Sequence, residues 1–256
     1  ADRRTESYAL GHLGELAEQA GDYAAAEQLA EQAALLARQV QAPEILYRWE
    51  WLSARVQQRR GDDSGAIDAY GRAIGNLELI RQDLTATRRQ GELSFRAEYG
   101  AIYLELADLL LRQAAQTADA AQLDRYLRSA REAVELLKSA EIEDYFQDDC
   151  VTALKAKTSG IDRLAANTAA IYPILLEDRL EILLSLPDGM QRFVTEVEAA
   201  QIDAEVRRFR SLVEKRTTRQ YLRPARQLYD WVLRPLQDEL DRAGVSTLVF
   251  VPDGSL

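Results

Sequence analysis

The chain has 256 residues, 47% hydrophobic and 29% charged, with a formal net charge of −10 and a pI near 4.8. Such a composition supports a substantial core in one large domain or two smaller ones and argues against a disordered chain. The acidic balance argues against a surface for duplex nucleic acid, which needs clustered Lys and Arg. A lone cysteine, Cys150, leaves no internal disulfide and no Cys-rich zinc site. No run of about eighteen apolar residues offers a membrane span, and "ADRRTESYAL" at the start lacks the basic-then-apolar pattern of a secretory signal. A cytoplasmic protein is expected. The pattern begins directly in helix with no starting Met, so sequence missing at the front as well as the back is also expected.

Nearly everything before residue 158 reads as helix. Pro43 is the only proline in the first 172 residues, and Ala, Leu, Glu, Gln and Arg dominate. Two stretches are similar to each other: "LGHLGELAEQAGDYAAAEQLAEQA" (Leu10–Ala33) and "WLSARVQQRRGDDSGAIDAYGRA" (Trp51–Ala73). Aligning Gly21-Asp22 with Gly61-Asp62, an offset of 40 residues, sets Ala26 over Ala66, Ala30 over Tyr70 and Ala33 over Ala73. Each stretch predicts a helix, a Gly-Asp turn and a second helix whose small residues permit close crossing. Periods of this size belong to stacked helical repeats.

These residues resemble the tetratricopeptide repeat. Leu13, Gly14, Gly21, Tyr23, Ala26 and Ala33 match its signature in the first unit; the second keeps Gly61, Ala66, Tyr70 and Ala73 but has Ser53 and Ala54 where Leu and Gly are usual. The period exceeds the family's usual one, which implies extended second helices. A looser third pair follows. Tyr103, Leu106 and Leu110 stripe one helix; Leu123, Leu127, Ala130, Val134 and Leu137 stripe the next, with "QAAQTADAAQ" as the connection.

"TSGIDRLAANT" (Thr158–Thr168) is the expected boundary, giving a helical arm over 1–157 and a second domain over 158–256. Strands are predicted at Ala169–Leu176, Leu180–Leu186 and Met190–Val197, joined by short turns as an antiparallel meander. One helix follows with Ile202, Val206, Phe209 and Val213 on a face, then another carrying Leu228, Trp231, Val232, Leu236 and Leu240. Pro224 suits a first turn; Pro235 should kink or stop the helix. The apolar run Leu248–Val251, closed by Pro252-Asp253-Gly254, predicts a strand in the middle of a parallel sheet, covered on both faces. Leaving its four side chains wet would forgo on the order of 6–12 kcal/mol.

"YLRPARQLYDWVLRPLQDEL" followed by "TLVFVPDGSL" resembles the opening of a CHAT domain, a caspase-type peptidase domain often preceded by tetratricopeptide repeats. "AIYPILLEDRLEILLSLPDGMQRFVTEV" is similar to that family's first strands, and "LKSAEIEDYFQDDC" to its lead-in helix, so the resemblance runs from about Gly91 to Leu256. It implies a partial α/β caspase-like domain behind a mainly α arm of stacked helical hairpins. The family's catalytic His–Cys dyad would lie beyond Leu256, on sequence missing here, and no residue present is assigned to it.

The residues themselves supply no substitute. His12 falls in the first helix and Cys150 after the third pair, and stacked repeats touch only their neighbours; His12 reads as a helix-surface residue and Cys150 as a small core residue. Glu141, Glu143, Asp144, Asp148 and Asp149 bunch together without the Gly of a calcium loop, so no metal is assigned. Arg207, Arg208, Arg210, Lys215, Arg216 and Arg219 read as a solvated face, or as partners for that acidic cluster. Pro187-Asp188-Gly189 is too short for a phosphate loop. Trp49, Trp51 and Trp231, at helical spacing, read as core. No catalytic, cofactor-binding or metal site and no cofactor is therefore assigned. The expected partners are a protein or peptide on the repeat surface and the missing remainder of the peptidase domain, with no nucleic acid and no membrane. The rival reading is a self-contained helical-repeat scaffold with no enzymatic role.

Overall fold

A computed structural model of the chain describes residues 2–87, 94–146, 165, 167–215 and 219–256. It is mainly helical, with stacked helix pairs and a small mixed sheet, and divides into two compact units. The first is Ala1–Leu110 with Glu135–Thr152; the second is Leu111–Val134 with Ala153–Leu256. The expected boundary at residue 158 lies outside the described residues.

Four helices open the first unit: α1 (Arg3–Gln19), α2 (Tyr23–Gln39), α3 (Pro43–Arg59) and α4 (Asp63–Thr87). The two Gly-Asp turns are built alike. Gly21 and Gly61 sit at φ 78° and 84°, where a side chain would be strained. The next amide closes the finished helix in each: Asp22 N–H donates to Ala17 O and Asp62 N–H to Gln57 O, both at 2.9 Å. Each aspartate then caps the following helix, Asp22 accepting from Ala25 N–H (3.1 Å) and Asp62 from Gly65 N–H (2.9 Å). The 40-residue repeat is thus a structural repeat of two helical hairpins. Gln41 makes the corresponding turn between α2 and α3 at φ 50°, a cost glycine would spare.

Small residues let these helices approach. Ala26, Ala30, Ala33 and Ala37 of α2 are fully buried with Ile45, Trp49, Leu52 and Val56 of α3. Trp49 lies directly over Gly11 of α1; a Cβ on Gly11 would stand 2.3 Å from its ring. The indole N–H donates to Ser7 Oγ (3.0 Å), and that hydroxyl donates to Ala33 O (2.7 Å), so one buried chain of bonds ties α3 to α1 and α1 to α2. Buried Glu50 accepts from Arg38 of α2 and from Arg72 of α4 (2.8 Å), joining three helices.

The third pair is α5 (Phe95–Gln116) and α6 (Ala120–Phe146). Residues 113–122 were expected to form its connection, but only 117–119 lie between the helices. The flanking Ala and Gln are good helix formers, and Asp119 starts α6 by accepting from Ala121 N–H at 2.8 Å. Extension of the second helices holds for α4, at 25 residues against 17 for α3, but not for α2, which at 17 residues equals α1.

In the second unit β1 (Thr168–Leu175), β2 (Leu180–Leu186) and β3 (Gly189–Thr195) form the antiparallel meander. Then come α7 (Ala199–Glu214), α8 (Leu222–Val232), a 3₁₀ turn at Arg234–Leu236, α9 (Gln237–Arg242) and β4 (Thr247–Phe250). Pro235 lies in the 3₁₀ turn, and the helix stops ahead of it. Strand order is β3-β2-β1-β4, with β4 parallel to β1. Ile171, Ile182, Leu184 and Leu186 pack against Ile202, Val206, Val232 and Leu236. On the opposite face Ala170, Tyr172, Ile174 and Leu183 are buried too, which is why β1 and β2 read as unbroken apolar runs. Glu181 is also fully buried there, held by Arg179 (2.6 Å) and by a two-bond fork from Arg192 (2.7 and 2.8 Å).

Two expectations are corrected. β4 is parallel but lies at the edge of the sheet, not in its middle, because no described strand stands beyond it. Val213 does not join the buried stripe of Ile202 and Val206; it is exposed near the end of α7.

Candidate functional site

The first helices of the three pairs are joined side by side through polar and aromatic groups. Arg55 of α3 forks onto Glu18 of α1 through two bonds of 2.8 and 2.7 Å, and its guanidinium lies 4.8 Å over the Trp51 ring. The Trp51 indole N–H donates to Glu105 of α5 (2.6 Å), which also accepts from the Tyr70 hydroxyl of α4 (3.0 Å). Tyr47 meets Tyr99 edge-on at 5.9 Å, and Arg48 lies over Tyr47. A row of carboxylates, arginines and aromatic rings therefore runs across α1, α3 and α5, with Glu18, Trp51, Arg55 and Glu105 half-buried, Arg48 exposed, and Tyr47, Tyr70 and Tyr99 buried.

Burial and neighbouring carboxylates set the electrostatics of the phenols and the guanidinium here. Burial, reinforced by the Glu105 carboxylate, pushes Tyr70 far above the ordinary phenol value; burial and Glu78 do the same for Tyr103. Both hydroxyls stay neutral donors near neutrality. Burial works against the Arg55 charge, but the Glu18 carboxylate outweighs it and holds the guanidinium protonated. Among the described residues, no group of three or more His, Cys, Asp or Glu side chains converges as a metal site would require.

The second notable surface is the free edge of β4. Thr247 and Val251 N–H donate inward, to Asn167 O (3.1 Å) and Ile171 O (2.9 Å). By strand alternation, the amides of Leu248 and Phe250 point to the open side. The side chains of Leu248, Val249 and Phe250 are 48%, 37% and 42% exposed. Full cover would add on the order of 2–4 kcal/mol across the three. Below them the closing turn is tightly held: buried Asp253 accepts from Leu175 N–H at 2.9 Å, and Leu256 packs on the sheet core.

His12 is on the surface of α1, 2.8 Å from Glu15, as expected. Cys150, Asp148, Asp149 and Arg216 lie outside the described residues. Glu141 pairs with Arg96 and Lys138, Glu143 with Arg81, and Asp144 accepts from Phe95 N–H, so these three fasten α6 to its own neighbourhood. Trp49 is core and Trp231 packs on the sheet core; Trp51 is instead part of the polar row. Glu18, Arg55 and Glu105 escaped the sequence reading. A signal existed for Arg55, since the 40-residue offset sets it over Glu15 and Trp51 over Gly11, the same faces of two equivalent helices.

No protein-family model, no curated protein and no solved structure matches the chain.

Proposed function

We propose that the chain is a tetratricopeptide-type interaction arm joined to the first part of a caspase-like α/β domain. The arm recruits a protein or peptide through the row on α1, α3 and α5, and catalysis belongs to strands that add to the sheet at β4. One observation carries this reading: an apolar strand, parallel to β1, with no strand beyond its outer edge among the described residues and with exposed side chains. Parallel strands are normally covered on both faces, and an uncovered edge is a pairing surface. The repeated hairpins support the arm, and the resemblance of the second unit to a CHAT domain supports the choice of enzyme class.

Expression of the gene's complete reading frame tests the proposal. The expected product cleaves peptides in a thiol-dependent manner and loses that activity on replacement of a cysteine other than Cys150. A frame that adds no strand-forming segment, or a full product without thiol-dependent cleavage, overturns it. One observation favours a self-contained scaffold instead: Asp253 and Leu256 finish the turn after β4 against the existing core. Specific binding of a partner by these 256 residues alone, together with a frame adding no strands, is the result that reading requires.

A further inference from the structure

We propose that the groove between α7 and α8 is a binding site for a short acidic peptide segment of a partner protein. Its volume is about 810 Å³, and its walls carry four arginines: Arg208 on α7, Arg219 just before α8, and Arg223 and Arg226 on α8. Arg223 and Arg226 are one turn apart on the same helical face. Arg208 has only Glu205 nearby, at 3.7 Å. Arg219, Arg223 and Arg226 have no carboxylate partner among the described residues. The single acid in the wall, Asp230, is occupied by Arg234 at 2.6 Å. Four cations thus face one cleft in a chain whose net charge is −10.

Gathering like charges in this way is unfavourable unless an anion answers them. Guanidinium groups bind carboxylates through paired, planar hydrogen bonds, which suits Asp and Glu side chains. Leu212 and Leu222 add apolar wall between the charges, giving a peptide's side chains something to pack on. The volume falls inside the range of about 300–1,000 Å³ usual for sites that enclose a compact ligand. A nucleic acid is disfavoured: it needs a continuous basic track, and the acidic remainder of the chain would repel it.

Fluorescence anisotropy of a labelled oligoglutamate peptide, titrated with the full chain, tests the proposal. Saturable binding is expected, weakening steeply with added salt. The exposed pair Arg223→Glu and Arg226→Glu should weaken it about tenfold or more at an unchanged melting temperature. If that variant melts early, Arg223→Gln with Arg226→Gln takes its place, with a smaller loss expected. The proposal fails if the peptide does not bind at low salt, or if a correctly folded variant binds as well as the parent. It fails also if inorganic phosphate displaces the peptide at equal concentration, or if a single-stranded oligonucleotide binds more tightly.

Discussion

Gly11 and Trp49 show how a single side chain sets the spacing of two helices. With hydrogen at Gly11 the indole lies close on the α1 backbone and reaches Ser7; with a methyl it must move. Gly11→Ala is expected to destabilise the chain by about 1–3 kcal/mol through overpacking, against the slight gain alanine gives in an open helix. Urea unfolding measures it, and an unchanged midpoint contradicts the packing described. Tyr70 and Tyr103 give a pH prediction. Burial and the neighbouring carboxylates raise both phenols above their unfolded value of 10.0. Their contribution is whole below that pH; above it the unfolded chain releases protons that the folded chain keeps. Stability then falls by up to about 1.4 kcal/mol per pH unit for each. Tyr70→Phe with Tyr103→Phe should therefore show a smaller drop in melting temperature between pH 9 and pH 11 than the parent (both roughly bracketing the phenol range). An equal drop counts against the burial of these hydroxyls. His12 was legible as a surface residue although its ring lies 5.5 Å from that of Trp49, edge-on. Glu105 was not legible, since its partners Trp51 and Tyr70 stand 54 and 35 residues away and no local pattern links them.

At the scale of elements, the signals that held were those with a local physical cause. The Gly-Asp turns announce themselves because only glycine takes the left-handed turn cheaply and aspartate caps the next helix. Strand β2 was legible to the residue, bounded by the turn residues Glu177–Arg179 and Pro187-Asp188. The α5–α6 connection was not, because Ala and Gln describe a helix end and a loop equally well until Asp119 is seen to cap. β4 was half legible. Its apolar run fixed the conformation and the parallel pairing, but position within a sheet depends on which strands lie beside it, and that is a long-range property. The basic run of α7 likewise reads as a solvated face in isolation; only the packing of α8 beside it turns Arg208, Arg223 and Arg226 toward a common groove.

At the scale of the whole molecule, the two compact units are built on different principles. The first builds a repeated scaffold whose joints are the buried Trp49–Ser7–Ala33 chain and the Arg38 and Arg72 bonds to buried Glu50, with a polar and aromatic row across α1, α3 and α5. The second builds a sheet buried on both faces over β1 and β2 yet open along β4. Among the described residues no helix is long and apolar enough to cross a membrane. Function as a partial enzyme domain requires that β4 offer an uncovered edge to a further strand, and residue-resolved amide hydrogen exchange reads that edge directly. Slow exchange is expected at Thr247 and Val251, whose amides bond inward, and fast exchange at Leu248 and Phe250, whose amides face outward. Equally slow exchange at all four, in a monomeric sample, would mean that the edge is already paired and has no room for another strand.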